Sequence, residues 1–216
     1  MGGRFYFCDV LMKSWTFLLI LLISCCAVAQ RDTKEVIHAQ NIKTIRIDTD
    51  EVFRIKLSTT DDSSISISTH SEGEYYDDII LDTVLEKGEL KITTRYPEIL
   101  TGGYDKLSAH KVFSLEIEMN IPKGLQVMIN SNLASVTANG DYKSFYADLK
   151  QGYCELLSFS GAAVINTYSG DILVETDSGI IDAKSRNGVV TIPDFLPGRE
   201  QLRLTSIDGD IMLRKN

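Results

Sequence analysis

Gly152, Gly170 and Gly188 are spaced by 18 residues, and a fixed apolar pattern travels with them. One step back falls on Ala134; the next step forward is delayed by three residues, to Gly209. Two residues after each anchor stand Val136, Cys154, Ile172, Val190 and Ile211; four after stand Ala138, Leu156, Val174, Ile192 and Leu213. Five before stand Ile129, Ala147, Ile165, Ala183 and Leu204; seven before stand Val127, Phe145, Ala163, Ile181 and Leu202. Every one of these positions is apolar in a chain that is 44% apolar overall, which chance does not produce.

The offsets describe two short strands joined by a tight turn. Side chains alternate between faces along a strand, and the inward set changes parity at the glycine, as it does at a corner or bulge. Glycine tolerates the backbone angles that such a corner needs. One unit cannot bury its apolar face alone; stacking successive units about 4.8 Å apart does so. The expected fold is therefore all-β, a β-solenoid of the right-handed β-helix type with coils of about 18 residues. Five units would stack to roughly 24 Å. The segment 193–201 reads as a loop pushed out of the last coil.

The N-terminal half alternates in the same way without the strict period, as in Ile45-Arg46-Ile47 and Leu115-Glu116-Ile117-Glu118-Met119. Turn residues such as Glu86-Lys87-Gly88-Glu89 and Pro122-Lys123-Gly124 separate the strands. The largest irregular stretch is 95–111, which a long hairpin or two interrupted coils would explain.

The first 29 residues read as a signal peptide. Residues 15–23 form an apolar run too short to span a bilayer, and Ala27-Val28-Ala29 is a small-x-small cleavage site, making Gln30 the mature start. A start at Met12 would give the simpler leader. Leu22-Ile23-Ser24-Cys25 offers a rival: a lipobox in which Cys25 is lipidated and becomes the first residue. Residues 30–42 then form an N-terminal extension and 43–216 the solenoid, most regular over 125–216. Three of the four cysteines fall in the leader, so Cys154 alone remains, at an inward position. It can make neither a disulfide framework nor a thiolate metal site.

The whole chain carries a formal charge of −8, and loss of Arg4, Asp9 and Lys13 with the leader makes it more acidic. That balance opposes nucleic acid and anionic membrane surfaces, leaving a lipid anchor as the only expected membrane attachment. His38, His70 and His110 lie in separate polar segments without ligand spacing and are expected to face solvent. No nucleophile elbow, phosphate loop or dinucleotide fingerprint occurs. Asp171 and Asp210 follow anchor glycines, as in calcium-binding solenoids, but Tyr153 and Val189 occupy the same offset in other units and break the ladder. Neither cofactor nor metal is expected. Tyr75, Tyr76, Tyr96 and Tyr104, with Asp77 and Asp78 beside the first two, are the candidate partner-binding residues. Rings stack on sugars or peptides while carboxylates accept hydrogen bonds.

The turn motifs Ser169-Gly170-Asp171-Ile172, Asp208-Gly209-Asp210-Ile211 and Asp177-Ser178-Gly179-Ile180 resemble those of the DUF4097/DUF2807 group of adhesin-like exported bacterial proteins. The strand–proline–strand passage from Leu115 to Val127 is similar as well. The resemblance covers about 43–216 and implies a β-helix-like fold and a place in the periplasm, the outer membrane or the cell surface. It supplies no catalytic residues. The expected function is that of a non-catalytic binding module with an envelope protein or a glycan as partner. The alternatives are a carbohydrate-active enzyme on a β-helix and a structural or signalling spacer.

Overall fold

The computed structural model describes residues 30–50, 52–73, 80–95, 113–194 and 197–216. The leader, with Cys25, and all four candidate tyrosines lie outside them. The chain divides into two compact units, Met1–Gln30 and Arg31–Asn216. Apart from Gln30, the first residue of the first strand, the strands and ladders belong to the second unit.

Alternating apolar and polar residues give strands throughout. They are β1 (Gln30–His38), β2 (Thr44–Thr49), β3 (Arg54–Thr60), β4 (Ser64–Gly73), β5 (Ile80–Glu86), β6 (Glu89–Arg95), β7 (Phe113–Pro122) and β8 (Gln126–Ser131). Two long strands come next, β9 (Ser135–Gln151) and β10 (Cys154–Ser169). The last five are β11 (Ile172–Glu175), β12 (Ile180–Ser185), β13 (Val190–Thr191), β14 (Gln201–Ser206) and β15 (Ile211–Arg214). All fifteen belong to one sheet, and the fold is all-β. Residues 30–38, within the stretch read as an N-terminal extension, form the first of these strands.

Pairing is mostly parallel and follows two ladders. One runs β1-β4-β7-β3-β9-β10-β11-β15-β13. The other runs through β5, β6, β2, β8, β9, β10, β14 and β12. Strands β9 and β10 belong to both, because each turns a corner partway along. Cys154 pairs with Val136 and with Ile172, and Ala163 pairs with Phe145, so the 18-residue interval of the sequence is the register of the sheet.

An 18-residue unit is even, so a strand that changes parity once per unit would meet its neighbour with the wrong face. The parity therefore has to change twice. Phe145, Ala147 and Leu149 are buried before Gly152, and Cys154 and Leu156 after it. The second change falls between Leu157 and Ala162, where the register shifts and Ser158 and Gly161 adopt positive φ. Tyr142, Phe145 and Phe159 fill this second corner, with ring centroids 5.4 to 6.4 Å apart.

The inward positions read from the repeat are buried in four of the five units. The fifth, Ile181, Ala183, Val190 and Ile192, is only partly covered or exposed. The reason is a departure from the expected order. A stack of successive units would place the Gly188 unit between the units of Gly170 and Gly209. Instead Ala163 pairs with Leu202 and Ile172 with Ile211, so the last unit in sequence lies against the Gly170 unit. Ile181 pairs with Leu202 and Val190 with Ile211 on the far side. β14 thus follows β13 in sequence yet lies one layer inside it, an order that a bulge in a sequential coil does not give.

The anchor residues form a column in the same order. A Cβ on Gly170 would run into the carbonyl of Gly152, and one on Gly209 into the carbonyl of Gly170. Hydroxyls three residues before the anchors finish the corner. Thr167 donates to the Gly170 carbonyl (2.8 Å), while the amides of Gly209 and Gly188 donate to Ser206 (2.8 Å) and Ser185 (2.9 Å).

At the N-terminal end, β2 pairs with β8 at an offset of 82 residues, and β3 continues the other ladder against β9. The parallel ladders then give way to antiparallel pairs, β4 with β7 and β5 with β6. The β5–β6 hairpin turns at Lys87-Gly88, both with positive φ.

Replacing Gly170 with alanine is expected to lower stability by about 3 kcal/mol, read from denaturant midpoints, because the new methyl has only backbone to displace. The layer order has its own test. Cysteines introduced as Val164→Cys and Arg203→Cys face each other across adjacent strands about 4.8 Å apart and should oxidise to a disulfide. The pair Val164→Cys and Asp182→Cys, two strands apart at about 10 Å, should not.

Candidate functional site

Outward residues of a parallel ladder line up in rows, one side chain per strand about 4.8 Å apart. On the β2–β8–β9 ladder one such row runs Asp48, Asn130, Asp148 and Asn166. The Asn130 amide donates to Asp48 at 2.7 Å, and Tyr146 donates to Asp148 at 3.3 Å. Two residues along, Asn132 donates to Asp50 at 2.7 Å. Asp48, Asp50, Asn130, Asn132, Asp148 and Lys150 line a groove of about 320 Å³. The register places Tyr168, 59% exposed, one strand beyond Lys150.

Ser131 and Thr49 also border this groove. Ser131 accepts from the amides of Leu133 and Ala134. Thr49, paired with it on β2, is buried, and its hydroxyl has no hydrogen-bond partner among the described residues. Its side chain shares the inward face of β2 with Ile45 and Ile47, so the hydroxyl is sealed from the groove and a buried polar group there costs stability. Burial, together with the nearby Asp148 carboxylate, raises the pKa of Tyr146 and keeps its phenol a donor.

A second groove, of about 390 Å³, crosses β1, β4, β7 and β3. His70 Nδ1 lies 2.6 Å from Asp32 and its Nε2 2.9 Å from Glu72. Thr33 and Thr69 share a hydrogen bond, and Arg54 pairs with Glu116 at 3.1 Å. Asp32, His70 and Glu116 are thus held in ion pairs. His70–Asp32 and Thr33–Thr69 fasten the edge strand β1 to β4, whereas the first groove carries amide–carboxylate pairs repeated along its rows.

His70 faces solvent, as expected, but holds partners that its own stretch of sequence does not announce. Its partners stand 38 residues back and two ahead, and only the pairing of β1 with β4 brings the first of them close. The turn aspartates differ from expectation. The exchange of layers makes Asp171 and Asp210 neighbours, so the acidic ladder is unbroken between them. Their carboxylates accept backbone amides of the next layer, Asp210 N to Asp171 at 2.8 Å and Val189 N to Asp210 at 2.7 Å. Among the described residues no cluster of three or more His, Cys, Asp or Glu is arranged to hold a metal ion. Cys154 is fully buried, and desolvation pushes its thiol well above the ordinary range, which disfavours the reactive thiolate. No helix among the described residues is long and apolar enough to cross a membrane.

The all-β fold has a counterpart among solved structures. The crystal structure of a "putative cell adhesion protein" from Clostridium sporogenes superposes with a TM-score of 0.62 at 12% identity, covering 87% of this chain and 100% of that one. A "putative adhesin" from Bacteroides fragilis gives 0.38 at 10% identity, covering 86% and 97% of the two chains. Another, from Parabacteroides distasonis, gives 0.32 at 11%, covering 86% and 93%. The likeness to the first is one of fold. No family model matches the sequence, and no curated protein matches it.

The carboxylates on both sides of His70 raise its pKa, the hydrogen bond to Asp32 contributing most and that to Glu72 next. Stabilisation by this charged pair of contacts is therefore complete below the ordinary imidazole pKa and is lost as the pH rises through the raised value. His70→Gln should match the wild type in alkaline solution and fall below it in mildly acid solution. Denaturant unfolding across that range checks this, and an imidazole titration by NMR gives the midpoint directly.

Proposed function

We propose that this chain is a non-catalytic, exported β-solenoid that binds neutral or amino-sugar glycans on its outer face. The observation that carries the reading is the double row Asp48–Asn130–Asp148 and Asp50–Asn132–Lys150, flanked by exposed Tyr168. Paired acceptors and amide donors at a constant spacing suit the vicinal hydroxyls of a sugar, and a tyrosine face suits the apolar side of a pyranose ring. The negative charge of the chain disfavours sulfated or uronic polymers.

Winding as a solenoid is inferred from the 18-residue parallel register and from β9 and β10 serving both ladders. Export follows from the reading of residues 1–29, with Gln30 free or Cys25 lipidated, and the naming of the Clostridium sporogenes neighbour supports a surface role. A second reading has one observation in its favour. Asp48 and Asp148 stand two strands apart, about 10 Å by strand spacing, near the separation of an inverting glycosidase pair.

Titration of neutral and amino oligosaccharides into the exported chain, followed by calorimetry, tests the proposal. Asp148→Ala or Tyr168→Ala should weaken binding about tenfold without loss of stability. Absence of binding, or binding indifferent to both variants, would overturn it. Release of reducing ends that Asp148→Asn abolishes would replace binding by hydrolysis.

A further inference from the structure

The exchange of layers leaves the Gly188 unit at one end of the sheet. β12 pairs only with β14, and β13 only with β15; among the described residues no strand meets their other edge. Ile181, Ala183 and Val190 occupy inward positions yet stay partly covered, whereas Leu202, Leu204 and Ile211 one layer in are buried. Ile180 (56% exposed), Val189 (66%) and Ile192 (43%) lie along the same end. The opposite end is finished differently, by antiparallel strands and by the polar β1.

An open edge is ordinarily protected by charge. β12 carries Asp182 and Lys184 on its outer face, joined at 3.0 Å, with Arg203 4.0 Å from the same aspartate. Two like charges in this place would repel a second copy. Opposite charges two residues apart do the reverse, because an antiparallel copy centred on Ala183 sets each Asp182 against the partner's Lys184. On the inner face the same register sets Ile181 against the partner's Ser185, and Ala183 against itself, so no charge is buried. A two-fold axis across the end would let β13 meet its own copy at the same time.

We propose that β12 is a self-recognition edge through which two copies of this chain join end to end, antiparallel, about a two-fold axis at Ala183. Strand addition supplies main-chain hydrogen bonds along the edge, and the crossed Asp182–Lys184 pairs set the register. The contact closes on itself, so it gives a dimer and not a fibre.

Sedimentation equilibrium of the exported chain tests this. The wild type should show a concentration-dependent dimer. Asp182→Lys and Lys184→Asp should each weaken it about tenfold or more, by placing like charges opposite one another. The double exchange Asp182→Lys with Lys184→Asp should restore it. A mixture of the two single variants should form a heterodimer, since the lysines of one copy then face the aspartates of the other. All these side chains are exposed, so folding is preserved and circular dichroism confirms it. A wild type that stays monomeric, a dimer indifferent to the charge changes, or open-ended polymers would each overturn the proposal.

Discussion

The close approach of backbone at the glycine corners governs everything else. Where the carbonyl of one layer meets the α-carbon of the next there is no room for a side chain, and the column Gly152, Gly170, Gly209, Gly188 satisfies that demand. With the corners aligned, the layers fall into register, and rows of identical offsets stack above one another. The buried apolar rows and the exposed polar rows are two results of one constraint.

Register alone would allow either order of the last two units, because both carry apolar residues at the same offsets. Other contacts distinguish them. In the observed order Asp171 accepts the amide of Asp210 and Asp210 that of Val189, forming a chain of capped corners from layer to layer. In the sequential order Val189 would stand next to Asp171, and the carboxylate of Asp210 would reach the open end with no further layer to cap. The exchange therefore uses both carboxylates, and it puts the least buried unit outermost.

Much of the architecture is legible in the residues. The strands, the inward rows, the corner at each anchor and the burial of Cys154 follow from alternation and from the 18-residue interval. The order of the last layers is not, because a three-residue delay fits a looped-out coil as well as an exchange of layers. Ser131, Thr167, Ser185 and Ser206, each three before an anchor, are a visible signal for corner capping whose meaning depends on knowing that the corners stack. The candidate groove is hidden from the sequence, since Asp48 and Asn130 meet only through an 82-residue offset that no local pattern announces. Tyr75, Tyr76, Tyr96 and Tyr104 fall where the period breaks, and those segments lie outside the described residues.

The exchanged layers also bear on the order of assembly. Strands β12 and β13 precede β14 and β15 in the sequence yet rest on them, so their native supporting surface does not exist until those later strands have emerged. A chain that crosses a membrane in sequence order, amino terminus first, would hold one apolar unit undocked throughout its passage. Its final strands then act as a keystone, slid between a finished stack and a waiting layer. The observed order of layers therefore forms only once β14 and β15 are present, however early β12 and β13 emerge.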